Sequence, residues 1–172
     1  MKSTKVNKLQ ILIGFAALLA GLFVYLIDRP PGTTYFLAGW AKDISFYDRI
    51  PNMFGHIGSS LPAFAHVFSF ILITAGILGS SKRGCLFICI FWLLIDGAFE
   101  MGQRYSSIPL KFIPSWFDGI PFLENTANFF RFGTFDYLDL IAFLLGTVFA
   151  YIILTLTMER RKGYEKRRQF VF

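Results

Sequence analysis

Charged residues are scarce in this chain. They make up 16% of its 172 residues, whereas soluble domains carry about a quarter. With 55% hydrophobic residues and a mean hydropathy of +0.54, that deficit argues against a soluble domain. Cysteine is nearly missing: Cys85 and Cys89 are the only two. They stand one helical turn apart, a poor geometry for a disulfide within one regular helix. Without a CxxC pair or a nearby His they make a poor zinc site too. They read as small packing residues. Walker, GxSxG and HExxH motifs are also missing, and no nucleotide cofactor, redox cofactor or metal is expected.

What the chain does have is four apolar runs of about twenty residues, each long enough to cross a hydrocarbon core at ~1.5 Å per residue. They span about 9–27, 57–78, 85–103 and 137–157. The expected fold class is all-α: a polytopic membrane protein, a four-transmembrane-helix bundle, with N and C termini cytoplasmic and two aromatic-rich outer loops. Residues 1–172 read as a single membrane domain, with a basic cytoplasmic tail over 158–172. The first run is too long for a signal-peptide h-region and no A-x-A site follows it, so it reads as an uncleaved anchor. Asp28-Arg-Pro-Pro-Gly ends it.

The loops carry their own signals. The first, 28–56, holds Tyr35, Phe36, Trp40, Phe46 and Tyr47. Trp and Tyr favour the membrane interface, so a short interfacial helix is expected around Tyr35 to Asp48. The second, 104–136, holds Pro109, Pro114 and Pro121, which argue against a long helix. A hydrophobic loop of that length is expected to fold back on the bundle.

The formal net charge of +6 fits topology better than nucleic acid, because much of the excess lies in the terminal segments and one short loop. Lys2, Lys5, Lys8, Lys82, Arg83 and six basic residues of the tail fall on one side. Arg29, Lys42, Arg49, Arg104, Lys111 and Arg131 fall on the other. Eleven against six puts both termini inside.

The third run is unusual. Asp96, Glu100 and Gln103 are spaced i, i+4, i+7 and share one helix face. Ionisable groups in a bilayer cost several kcal/mol on the gentlest scales. With the topology above, Glu100 lies about a turn below the outer boundary and Gln103 at it. Asp96 lies roughly 10 Å deep. Asp136 and Asp139 sit at the outer end of span four, His66 more than two turns into span two, and His56 at its mouth. Arg104 and Arg131 lie just above. The candidate polar centre is therefore His66, Glu100 and Asp139. His56, Gln103, Arg104, Arg131, Asp136 and Asp96 are candidate substrate-binding residues. Each has a plainer reading: Asp136 as a helix cap, His66 as a packing residue, His56 as a solvated loop residue, Glu100 and Asp96 as simple bonding partners. A His with carboxylates can serve general acid–base chemistry. The set lacks the strict spacing of a metal site.

At these residues the chain resembles the VanZ-like family of small bacterial membrane proteins. The resemblance rests on a His on or before span two, on Phe99-Glu100-Met-Gly-Gln103, and on Arg131-Phe-Gly-Thr-Phe-Asp136-Tyr-Leu-Asp139 leading to Gly146. It covers about residues 48–150. His56 matches the family's His by position after Asp48-Arg49, and His66 by its flanking aromatics. The family's Asn in the final helix is replaced by Ala142 and Phe143, and the insert between Gln103 and Arg131 is long.

The resemblance implies a multi-pass protein of the bacterial cytoplasmic (inner) membrane, connected with the cell envelope. One expected function is binding or modifying a lipid-linked envelope substrate in the outer half of the bilayer. A second is that of a non-catalytic subunit or assembly factor of a larger membrane complex; a third is a small proton-coupled transporter. Expected partners are membrane lipids and other membrane subunits or a homo-oligomer, with no nucleic acid.

Overall fold

The computed structural model describes residues 6–30, 44–47, 49–50, 53–121 and 123–169, the side chains of His56 and 160–169 excepted. The helices are α1 (Lys8–Asp28), α2 (Gly55–Leu78), α3 (Lys82–Arg104), α4 (Thr126–Phe132) and α5 (Tyr137–Gln169). Short 3-10 turns at Pro109–Lys111, Ser115–Phe117 and Leu123–Asn125 fill the segment between α3 and α4. No strand occurs among the described residues.

Among the described residues four helical stretches are long and apolar enough to cross a membrane: Lys8–Asp28, Ile57–Leu78, Lys82–Arg104 and Tyr137–Glu159. Their ends fall within three residues of the runs read from hydropathy. Local chemistry sets the boundaries. Asn7 caps α1 by accepting from the Gln10 N–H, and Ser81 caps α3 by accepting from the Gly84 N–H. Gly79 ends α2 in the left-handed conformation, φ 56°, that favours glycine. The short link from Gly79 to Ser81 sends α3 back antiparallel to α2. This defines a tail end of the bundle, with that link and the end of α5. The opposite, loop end carries the two long connections.

Helix α5 runs from its apolar section into the basic tail and reaches Gln169, 33 residues in all. Glu, Arg, Lys and Gln are good helix formers and carry the helix beyond its apolar section. The expected interfacial helix around 35–48 lies mostly outside the described residues. Its described remnant is tied to α1, where the Phe46 N–H donates to the Leu26 carbonyl at 3.0 Å. Among the described residues of 104–136 no long helix occurs, and α4 packs against α3. Phe130 of α4 is buried against Gly102 of α3 and stacks on Phe99 at 5.6 Å.

Helix α2 is the centre of the bundle and packs on α1, α3 and α5, while α3 also packs on α5. The core joins Val67, Ile71, Leu72 and Ala75 of α2 to Cys85, Ile88 and Cys89 of α3 and Phe143, Ala150 and Leu154 of α5. Both cysteines are buried and unbridged, so they act here as packing residues. Small residues bring α1 against α2. A Cβ on Gly21 would lie 2.5 Å from the Ala65 Cβ, and one on Gly14 would lie 2.7 Å from Ile73 Cγ1. Such close backbone approach is how apolar helices associate where the surrounding medium is as apolar as they are.

The polarity of the bundle is inverted relative to a soluble domain. Phe87, Leu12, Leu94 and Leu19 are 78%, 67%, 66% and 64% exposed, while Gln10, Ser69, Asp96, Glu100, Thr147 and Thr157 are buried. An apolar exterior of that extent needs an apolar surrounding. Near the tail end the Gln10 side-chain amide donates to Thr157 Oγ1 at 2.8 Å, joining α1 to α5. A double-mutant cycle on Gln10→Ala and Thr157→Val, read by unfolding in detergent or bicelles, is expected to give a coupling of about 0.6 kcal/mol and no more than about 1.7. A coupling indistinguishable from zero would contradict the contact.

Candidate functional site

Helix α5 needs an N-terminal cap, because its first N–H groups have no partner within the helix. Asp136 provides one, its carboxylate accepting from the Leu138 N–H at 2.8 Å. In an ordinary capping box, an acid three residues after the cap reaches back to the cap's own N–H. Asp139 stands at that position. The bond is instead made from another helix: Glu100 of α3 accepts the Asp136 N–H through Oε1 at 2.6 Å. Glu100 is only 5% exposed. An acid near the C-terminal end of one helix thus closes the cap of its neighbour, and Asp139 is released from the task.

Asp139 turns towards α2, where it faces Ser60. Its Oδ1 and the Ser60 hydroxyl are both shielded from solvent and lack a well-formed hydrogen bond. The charge balance around these acids comes from α1. Arg29 acts electrostatically on both Glu100 and Asp139. Its guanidinium donates to the Ser59 carbonyl at 2.7 Å and lies over the Tyr25 ring, 5.2 Å from the centroid. Pro62 follows three residues after Ser59. Proline removes a ladder bond and loosens the helix one turn before it, which opens carbonyls there to outside donors. Arg29 thus lies at the same end as Glu100, Asp136 and Asp139, and no ion pair of 4.0 Å or less joins it to them among the described residues.

His66 is not a member of this cluster. Its Nδ1 lies 3.4 Å from Asp96 Oδ1, joining α2 to α3 one level deeper. Asp96 is buried, whereas the His66 side chain is 46% exposed. The seam continues towards the tail end: His66 lies 4.4 Å from Phe70, Phe70 lies 4.8 Å from Trp92, and the Trp92 indole N–H donates to Thr74 Oγ1 at 3.1 Å. The expected centre of His66, Glu100 and Asp139 is thus divided, with Glu100 and Asp139 in one group and His66 with Asp96 in another. Helical spacing gives the level of each side chain but not its rotation about the axis; α2 turns His66 to the α3 seam and Ser60 to α5.

The remaining candidates are spread around the loop end. Gln103 packs against the backbone of Gly133. Arg104 is held away from the acids by aromatic rings. It donates to the Tyr137 hydroxyl at 2.8 Å and lies 5.2 Å from the Phe135 ring centroid, a cation–π arrangement. Arg131 is exposed in the last turn of α4. His56 lies in the first turn of α2, and its side chain is outside the described residues. Among the described residues no three His, Cys, Asp or Glu side chains are grouped so as to hold a metal.

Two members of the cluster, Arg29 and Ser60, have no sequence signal that separates them from a chain-end marker and a helical serine. The only hint for Arg29 is Tyr25 four residues earlier, which places a ring beneath the guanidinium. No protein-family model, curated protein or solved structure matches the chain.

Proposed function

We propose that this is a multi-pass protein of the bacterial inner membrane, with its loop end outside, that binds or modifies a lipid-linked envelope substrate at the Arg29–Glu100–Asp139 cluster. A VanZ-like relationship is part of this proposal. The orientation rests on the eleven-to-six distribution of basic residues. The observation that carries the site is Asp139: an acid not used in the cap, facing Ser60, the residue next to Ser59, whose carbonyl accepts from the Arg29 guanidinium. A guanidinium, with five donors in a planar fork, suits a phosphate group. A neighbouring carboxylate can accept a hydrogen bond or a proton from a hydroxyl or amine on the same headgroup. In this reading Arg29 binds the substrate phosphate and Asp139 faces the group next to it. Glu100 holds the start of α5 in place.

The cap bond of Glu100 also favours a second reading, a non-catalytic subunit whose polar groups only lock helices together. Ligand-dependent thermal stabilisation in detergent separates the two. Phosphate-bearing lipid is expected to raise the melting temperature of the wild type. Arg29→Gln and Asp139→Asn are expected to abolish that rise while leaving the unliganded melting temperature within a few degrees. An equal rise in wild type and both variants would leave only the structural reading standing.

A further inference from the structure

The segment between α3 and α4 presents an apolar face that the bundle does not cover. Phe112, Trp116 and Ile108 are 79%, 63% and 58% exposed. Phe112 is as exposed as Phe87 on the outer face of α3, yet it lies on a chain of turns rather than on a spanning helix. The segment is not loose. Its first turn, Pro109–Lys111, packs on α4, and α4 is anchored to α3 through Phe130. The face therefore points outward from a fixed support.

Part of the backbone beneath these side chains is bonded within its own turns. The N–H groups of Ile108, Lys111, Phe112, Phe117, Asp118 and Ile120 all donate to carbonyls three residues earlier, at 2.9–3.2 Å. That of Leu110 donates to Ser106. Pro109 and Pro114 have no N–H to satisfy. In contact with lipid, each unsatisfied backbone donor is costly, and irregular chain is excluded for that reason. Turn bonds lower that cost for part of the segment, and in the headgroup layer water can serve the rest. Trp and Phe at its edge, with an exposed lysine, Lys111, among them, are the residues that settle at the headgroup boundary.

We propose that residues 105–120 form an interfacial anchor, lying in the headgroup layer of the protein's own membrane with Ile108, Phe112 and Trp116 turned into lipid. The occupant of the face is lipid because the face continues directly from the apolar outer surface of α3, whose last helical residue is Arg104 and whose C-cap is Tyr105, itself 52% exposed. The anchor would hold the loop end, and the start of α5 that follows α4, at a fixed height in the bilayer.

The inference rests on the spanning helices lying in a membrane, and its test keeps the two apart. Trp40→Phe with Trp92→Phe leaves Trp116 as the single tryptophan. A second variant adds Trp116→Phe and Leu94→Trp, which marks the lipid-facing middle of α3. Both are reconstituted in vesicles of phosphatidylglycerol and phosphatidylethanolamine with bromines placed high or low on the acyl chains. Trp116 is expected to emit at a blue-shifted wavelength and to be quenched more than twofold better by shallow bromines than by deep ones, with little quenching by aqueous iodide. The tryptophan at position 94 is expected to show the opposite bromine preference. If position 94 is quenched by deep bromines while Trp116 is quenched by iodide, the anchor is overturned and the spanning helices stand. If Trp116 is shielded from both bromines and iodide, a protein partner or a second copy covers the face, and the lipid proposal is again wrong.

Discussion

Glu100→Ala is expected to destabilise the bundle by about 1–3 kcal/mol, the usual cost of orphaning a buried donor. Glu100→Gln is expected to melt at or slightly above the wild type. The difference follows from the cap. Alanine leaves the Asp136 N–H without its 2.6 Å acceptor in a part-buried site. A glutamine oxygen can take the same bond, and the substitution also removes one of three acids that repel one another. Magnitudes decide between the effects. Loss of repulsion helps both variants, but only alanine pays the desolvation of an unpaired N–H. Thermal unfolding in detergent measures both. If Glu100→Ala melts with the wild type, the inter-helix cap contributes nothing and Glu100 must be explained by function alone.

Gly146→Leu is expected to produce a loss of similar or larger size, by a different mechanism. A Cβ at Gly146 would stand 2.6 Å from Val67 Cγ1 and 2.8 Å from the Phe64 carbonyl oxygen. The valine methyl can rotate; the backbone carbonyl cannot. Helices α2 and α5 must then move apart, which disturbs the core around Val67, Phe143 and Ala150. Overpacking of this kind costs about 1–3 kcal/mol, sometimes more. Gly97 on α3 is the matched control, since nothing lies within 4 Å of its would-be Cβ. Gly97→Ala is expected to be neutral, or stabilising by up to about 1 kcal/mol through helix propensity. A Gly146→Leu protein that melts like Gly97→Ala would refute the α2–α5 packing.

The helices were legible in the sequence because hydropathy and length decide them. The four apolar runs give the four long helices, and Ser81 and Gly79 mark ends that local chemistry enforces. The acidic face of α3 was legible as well: the i, i+4 spacing puts Asp96 and Glu100 on one face, and both are buried. The grouping of side chains was not. Whether His66 meets Asp96 or Glu100 depends on the rotation of α2 about its axis, and small residues such as Gly21 and Gly146 set that rotation through tertiary contact. The role of Glu100 was hidden for a related reason. Its partner is a backbone N–H at the start of another helix, which spacing within α3 does not reveal. Arg29 reads as the end of a span and becomes part of the cluster only when α1 is laid against α2.

The central claim is that the loop-end cluster holds a phosphate-bearing lipid and is more than a lock between helices. Native mass spectrometry of the protein purified in mild detergent tests it most directly. The wild type is expected to retain a phosphate-bearing lipid at defined stoichiometry under activation that strips bulk lipid. The doubly substituted Arg29→Gln, Asp139→Asn protein, matched for melting temperature, is expected to lose it. Equal retention by both proteins, or none by either, would contradict the account.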